Sequence, residues 1–238
     1  MNGAFGELCA ANVDFHDDLV RNIKTIRESQ DLFDDLARDP RDRAAAIAAE
    51  AGERIPTPAA IVTRPFDYGT VIGYSFDPSA WQATRFGDAR RYGVWYGSLA
   101  AETTVYETVF HWHRFLLDSF ATEDRFIVGE RRLFDVRCDA LLIDARGREA
   151  AFPDLVSRAG YAFTHALGGF LVDQGANGIL VRSARCDGIN GAIFRRERNS
   201  NVRERMHLTY RCNPARDLCT VERTPGETWL AIRPSALH

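Results

Sequence analysis

Apolar residues near the start of the chain recur every three to four positions, whereas later they fall in short alternating or continuous runs. The pattern therefore predicts helices first and a strand-rich domain after them. Over residues 15–50, Val20, Ile23, Ile26, Leu32, Phe33 and Leu36 keep helical spacing with charged residues between them. Pro40 begins the segment PRDRAAAIAAEAG, which predicts a second helix with proline near its start and Gly52 near its end. Pro56 and Pro58 mark residues 54–60 as a linker. This divides the chain into a helical N-terminal extension, 1–55, and a main domain, 56–238. The simplest use of the extension is a cap packed on the main domain. Oligomerisation or partner binding is the alternative.

Beyond residue 61 the texture changes to short strands, aromatics and glycines. Ile61–Thr63 is a short apolar run ending at Arg64, and Val94–Trp95–Tyr96 carries a strong strand signal. A helix follows from about Ala101 to Leu117, with Glu102 in its first turn, where a carboxylate is favoured. Strands are expected at 125–128, 133–136, 140–143, 178–181, 192–194 and 207–211, and a helix at 153–174. This order suits a mixed α+β domain better than a regular βαβ alternation.

The composition is that of an ordinary globular protein, with 30 Lys plus Arg against 33 Asp plus Glu and a net charge of −3. That balance argues against broad binding to nucleic acid, which draws its affinity from many phosphate contacts. It leaves room for a local basic pocket. Lys24 is the only lysine, so a phosphate contact here falls to a planar guanidinium. Five widely spaced cysteines without a CxxC suggest neither a disulfide framework nor a metal site. Neither a signal peptide nor a membrane-spanning apolar run is recognisable, so a reducing cytoplasm is the expected home.

Four residues stand out as chemistry: Arg64 after a strand, Arg85 in the loop ATRFGD, Tyr96 ending VWY, and Glu107 on the helix that follows. Ser183–Ala184–Arg185, with Asn190 shortly after, forms a turn behind the buried run GILV. A pyridinium dinucleotide needs groups of these kinds. Guanidinium groups hold its pyrophosphate, an aromatic face meets its nicotinamide ring, and a carboxylate stabilises the oxocarbenium-like transition state of glycosidic cleavage. Nicotinamide leaves a cation as a neutral molecule, so a general acid is not required. Taken singly, each residue also has an ordinary explanation: a solvated loop Arg, a core Tyr, a Glu on the wet face of a helix, a Ser ending a strand.

Taken in order, they resemble the RES domain family, named for its Arg, Glu and Ser. The matching pieces are Arg64, Arg85–Phe86, Val94–Trp95–Tyr96, Glu102 through Glu107, Ser183–Ala184–Arg185 and Gly188–Ile189–Asn190, across residues 61–211. The resemblance implies a split mixed β core similar to ADP-ribosyltransferase toxins. It implies Glu107 as the catalytic carboxylate, assisted by Arg64 and Tyr96. Arg64, Arg85, Tyr96, Ser183, Arg185 and Asn190 are implied as contacts to NAD, which is the substrate rather than a bound cofactor. No metal is implied.

The family includes toxins of toxin–antitoxin pairs that cleave NAD by phosphorolysis or hydrolysis, and members that transfer ADP-ribose to protein. The expected partners are NAD, inorganic phosphate and a cognate antitoxin with a helix-turn-helix DNA-binding domain. A non-catalytic binding module on the same fold is the competing class. Departures from the family pattern are the N-terminal extension and the loop FGDARRYG, where many members begin Arg–Trp–Asn.

Other features have structural readings. His111 and His113 are two apart on the helix, which is not the i, i+4 spacing of a metal pair. Gly168–Gly169 lies in an apolar helical stretch and lacks the strand that precedes a phosphate loop. Arg195–Arg198 reads as a solvated hairpin.

Overall fold

The computed structural model describes residues 2–24, 69–122, 124–158 and 160–237. Its helices are α1 (Asn2–Cys9), α2 (Gly69–Gly73), α3 (Ala101–Phe120) and α4 (Ala162–Asp173). Its strands are β1 (Asn12–Lys24), β2 (Trp95–Ser98), β3 (Ile127–Asp144), β4 (Gly178–Arg182), β5 (Ile189–Ile193), β6 (Asn199–Asn213), β7 (Leu218–Thr224) and β8 (Glu227–Ile232). Residues Met1–Thr25 and Tyr68–His238 form one compact unit.

The fold is mixed α+β, as the order of elements predicts. The sheet runs β1-β2-β5-β4-β3-β6-β7-β8, and β1 also pairs with β3. That extra pairing returns the order to its start, so β1, β2, β5, β4 and β3 form a closed circuit with β6–β8 attached as a meander. The β3–β4 pairing is parallel and the β1–β3, β3–β6 and β4–β5 pairings are antiparallel.

One correction concerns the start of the chain. Residues 15–24, expected to be helical, belong to β1, which pairs with β3 from Asn12↔Ile143 to Lys24↔Arg131. Val13, Phe15, Leu19 and Ile23 lie at alternating positions, a period of two that the helical spacing of Val20 and Ile23 obscures. Phe15 and Leu19 are buried, and β1 covers β3 from Arg131 to Ile143. The second helix, the linker, the boundary near residue 55 and Arg64 lie outside the described residues. A second correction joins three expected short strands at 125–143 into the single strand β3. The expected helix at 153–174 divides into a 3₁₀ turn at Pro153–Val156 and α4. Arg196–Arg198 is also a 3₁₀ turn, leading directly into β6.

Two apolar clusters hold the unit together. Val105, Val109 and Leu116 of α3 pack against Leu133, Leu208 and Val221 of the sheet. Phe5 and Leu8 of α1 join Phe86, Leu167 and Leu171 of α4, and Ile179 in the other. The opposite stripe of α3 carries Thr104, Glu107, Thr108 and His111, three to four residues apart and so on one face.

Two glycines allow the close approaches that set the site. A Cβ at Gly168 of α4 would lie 2.1 Å from the Phe86 carbonyl oxygen, so α4 presses directly on the loop that carries Arg85. A Cβ at Gly188 would lie 1.8 Å from Thr103 Oγ1, so the β4–β5 turn presses on the first turns of α3. Gly188→Ala is therefore expected to destabilise the fold by about 1–3 kcal/mol through overpacking. Urea denaturation checks this, and an unchanged midpoint would show that the turn and helix can separate at no cost.

Candidate active site

Glu107 is half-buried in the middle of α3, and its Oε1 accepts two hydrogen bonds. Ser183 Oγ donates at 2.6 Å and Asn190 Nδ2 at 2.8 Å. Both donors are themselves fixed. Arg185 N donates to Ser183 Oγ at 3.0 Å, and Ser98 Oγ donates to Asn190 Oδ1 at 2.6 Å. The turn bearing Ser183 is closed by Ser183 N to Gly188 O at 2.7 Å. Glu107 Oε2 has no protein partner among the described residues, so one carboxylate oxygen is tied and the other is available.

Glu107 opens onto a cleft of about 420 Å³, within the roughly 300–1,000 Å³ usual for ligand sites. The stripe Thr104, Thr108 and His111 of α3 forms one wall, and Tyr96–Ser98 of β2 with Asn190 lies beneath. Arg21, Arg85 and Arg131 also line it. Arg85 Nη1 donates to the carbonyls of Ser157 at 3.0 Å and Leu155 at 3.3 Å, and its guanidinium lies 4.9 Å from the ring centroid of Tyr161. Arg21 donates to the Tyr96 carbonyl at 2.7 Å and to Ser75 Oγ at 3.1 Å. None of the three arginines pairs with a carboxylate among the described residues. Burial lowers the Arg21 pKa to about 10 and also lowers that of Arg131. Three guanidinium groups facing one carboxylate leave the cleft with excess positive charge. Partly buried cations of this kind are better accommodated once an anion joins them.

The other expected site residues divide. Tyr96 lines the cleft, but its hydroxyl is engaged: it donates to Thr84 Oγ1 at 3.0 Å and accepts from Phe86 N at 2.8 Å. Burial raises its pKa well above the usual phenol value, so the ring rather than the hydroxyl is what it offers. Ser183 is buried behind Glu107, away from the cleft wall, and Asn190 touches both Glu107 and the cleft. Arg185 turns aside. It is buried, lies 3.3 Å from the Phe110 ring centroid and donates to the Leu237 carbonyl at 2.8 Å. Its backbone braces the Ser183 turn, while its guanidinium hydrogen-bonds Tyr161 of the cleft wall and lies within electrostatic reach of Glu107.

Arg21, Arg131, Tyr161 and Thr108 were not anticipated from sequence. Arg21 follows from reading β1 as a strand, whereas Arg131 reaches the cleft only through the pairing of β3. His111 lies one turn beyond Glu107, which its spacing does signal.

These elements define an α+β domain with a cationic cleft built around a single oriented carboxylate. The chain belongs to the RES domain family, whose model matches residues 53–213. Among curated proteins none matches. Three solved chains match. One is from the crystal structure of the M.tuberculosis MbcT-MbcA toxin-antitoxin complex, 12% identical, with a TM-score of 0.49, over 90% of this chain and 94% of that one. Among the described residues no helix is long and apolar enough to cross a membrane, and no group of three or more His, Cys, Asp or Glu side chains could hold a metal ion.

His111 gives the site a titration signature. Much of the residue is exposed at the cleft mouth, yet desolvation of the ring lowers its pKa, with Glu107 acting in the opposite direction. The folded state therefore favours neutral imidazole. This contribution to stability is complete above the unfolded pKa near ~6.5 and is lost as pH falls through the lower folded value. Removing the carboxylate in Glu107→Gln should shift the His111 titration to still lower pH. NMR titration of the ring protons measures it, and an upward shift would separate His111 from Glu107 electrostatically.

Proposed function

We propose that this protein cleaves the nicotinamide–ribose bond of NAD, with Glu107 beside the ribose and with phosphate or water capturing C1′. The observation that carries the reading is the Glu107 carboxylate, oriented by Ser183 and Asn190, with one oxygen free over an arginine-lined cleft. Cleavage moves positive charge from the pyridinium ring to the ribose. A fixed carboxylate beside the ribose opposes that charge in the transition state without reorganising. Arg85 and Arg131, free of ion pairs among the described residues, supply charge for the pyrophosphate, and the Tyr96 ring supplies an aromatic surface.

Transfer of ADP-ribose to a protein shares this first bond-breaking step and differs only in the acceptor. Membership of the RES family supports a toxin role and, with it, a cognate antitoxin carrying a helix-turn-helix domain that covers the cleft. A cytoplasmic site of action follows from the substrate. A non-catalytic module would bind NAD without releasing nicotinamide.

Glu107→Gln preserves shape and removes the charge, and is expected to slow nicotinamide release about 10²- to 10³-fold. Purified protein incubated with NAD, with and without inorganic phosphate, reports the rate by free nicotinamide and the acceptor by the ribosyl product. Equal rates for parent and variant would sink the role of Glu107. No release by the parent would favour the binding module.

A further inference from the structure

Behind Tyr96 lies a second cavity of about 220 Å³. It shares Arg21, Gln82, Thr84 and Tyr96 with the main cleft, so the two adjoin through these residues. Its other walls include Tyr74, Trp81 and Tyr92. A cavity of about 150 Å³ accommodates benzene, so this one suits a single substituted heteroaromatic ring and is too small for a dinucleotide. Its polarity is specific as well. The indole Nε1 of Trp81 and Nε of Arg21 are sealed from solvent, so the chamber's polarity comes from the Arg21 charge. Among the described residues Arg21 is the only charged one lining it, and no carboxylate partner balances that charge.

Such a chamber favours a planar ring that carries no positive charge. Aromatic walls stack with neutral and cationic rings alike. A guanidinium a few ångströms away decides between them, because its Coulomb repulsion exceeds the attraction of a ring face for a cation.

We propose that this chamber receives nicotinamide as the departing base and discriminates against the pyridinium of intact NAD. The inference rests on the NAD-cleaving reading of the Glu107 cleft. When the C1′–N1 bond breaks, its electron pair stays on N1 and the ring becomes neutral. The acceptor oxygen forms the new bond to C1′, and any proton it carries passes to solvent. The ring thus changes from the charge state the chamber repels to the one it accepts. Arg21, between chamber and cleft, is a specificity-determining residue in this account.

The test uses the full chain labelled with ¹⁵N. Its four tryptophans give four indole N–H resonances, and the one absent in Trp81→Phe belongs to Trp81. Titration with nicotinamide should move the Trp81 resonance. N-methylnicotinamide, a cation of the same shape, should do so with affinity weaker by about tenfold or more. Arg21→Gln should narrow that gap and Arg21→Lys should keep it, with the remaining indole resonances reporting that each variant is folded.

Equal response to both ligands in the parent would overturn the proposal. So would a response to adenosine monophosphate but not to nicotinamide, which would make the chamber an adenine pocket. Turnover of NAD is read separately. A silent Trp81 resonance in a protein that cleaves NAD therefore removes the chamber's role and leaves the Glu107 site standing.

Discussion

The two hydrogen bonds accepted by Glu107 Oε1, from Ser183 and Asn190, join the middle of α3 to the β4–β5 hairpin. The rest of the site depends on this junction. A glutamate on an open helical face would sample several rotamers and hold no fixed orientation. Here two donors select one, and each donor is anchored by another element: Ser183 by the backbone of its own turn, Asn190 by Ser98 of β2. Hydrogen bonds to a charged group contribute about 1.5–3 kcal/mol. The junction therefore supports the packing of the hairpin on α3 as well as the orientation of the acid. Gly188 makes the approach sterically feasible, because any side chain there would enter Thr103.

The arginines answer to a different constraint. Desolvating a guanidinium is unfavourable unless its donors are used. Arg21 uses backbone and hydroxyl acceptors and Arg85 uses two carbonyls, so their geometry is secured without neutralising their charge. A carboxylate partner would have given comparable order and cancelled the field. Neutral acceptors keep the field available to a ligand. The closed circuit of strands matters for this reason: β1 brings Arg21, β2 brings Tyr96 and β3 brings Arg131 around one space facing α3.

What could be read from sequence follows the range of the signal. Val94–Tyr96 as strand, the helix beginning at Ala101 and the buried run before Ser183 are local patterns, and the structure contains each of them. Glu107, Ser183 and Asn190 do converge, although Ser183 supports the acid from behind instead of lining the cleft. β1 is not legible locally, because Val20 and Ile23 fit a helix as well as a strand and only the β3 register decides between them. Arg131 is one of many arginines, and nothing in its neighbours distinguishes a cleft position from a solvated one. The engagement of the Tyr96 hydroxyl by Thr84 and Phe86 is likewise a consequence of how the chain folds back on itself.

The arrangement of charge also bears on why one acid suffices for the proposed cleavage. In glycoside hydrolysis two carboxylates share the work, because the leaving oxygen must be protonated. A pyridinium leaving group arrives with its positive charge already in place, so the task is to draw that charge toward the ribose. In the proposed reaction Glu107, free at Oε2, acts on the ribose side of the bond. Arg21, half-buried behind Tyr96 and without a carboxylate partner among the described residues, raises the energy of a cationic ring nearby in the proposed cleavage, an effect that ends once the ring is neutral. The two groups act on opposite ends of one charge displacement, and both effects are larger where water is excluded. A second carboxylate in the cleft would pair with an arginine and weaken both.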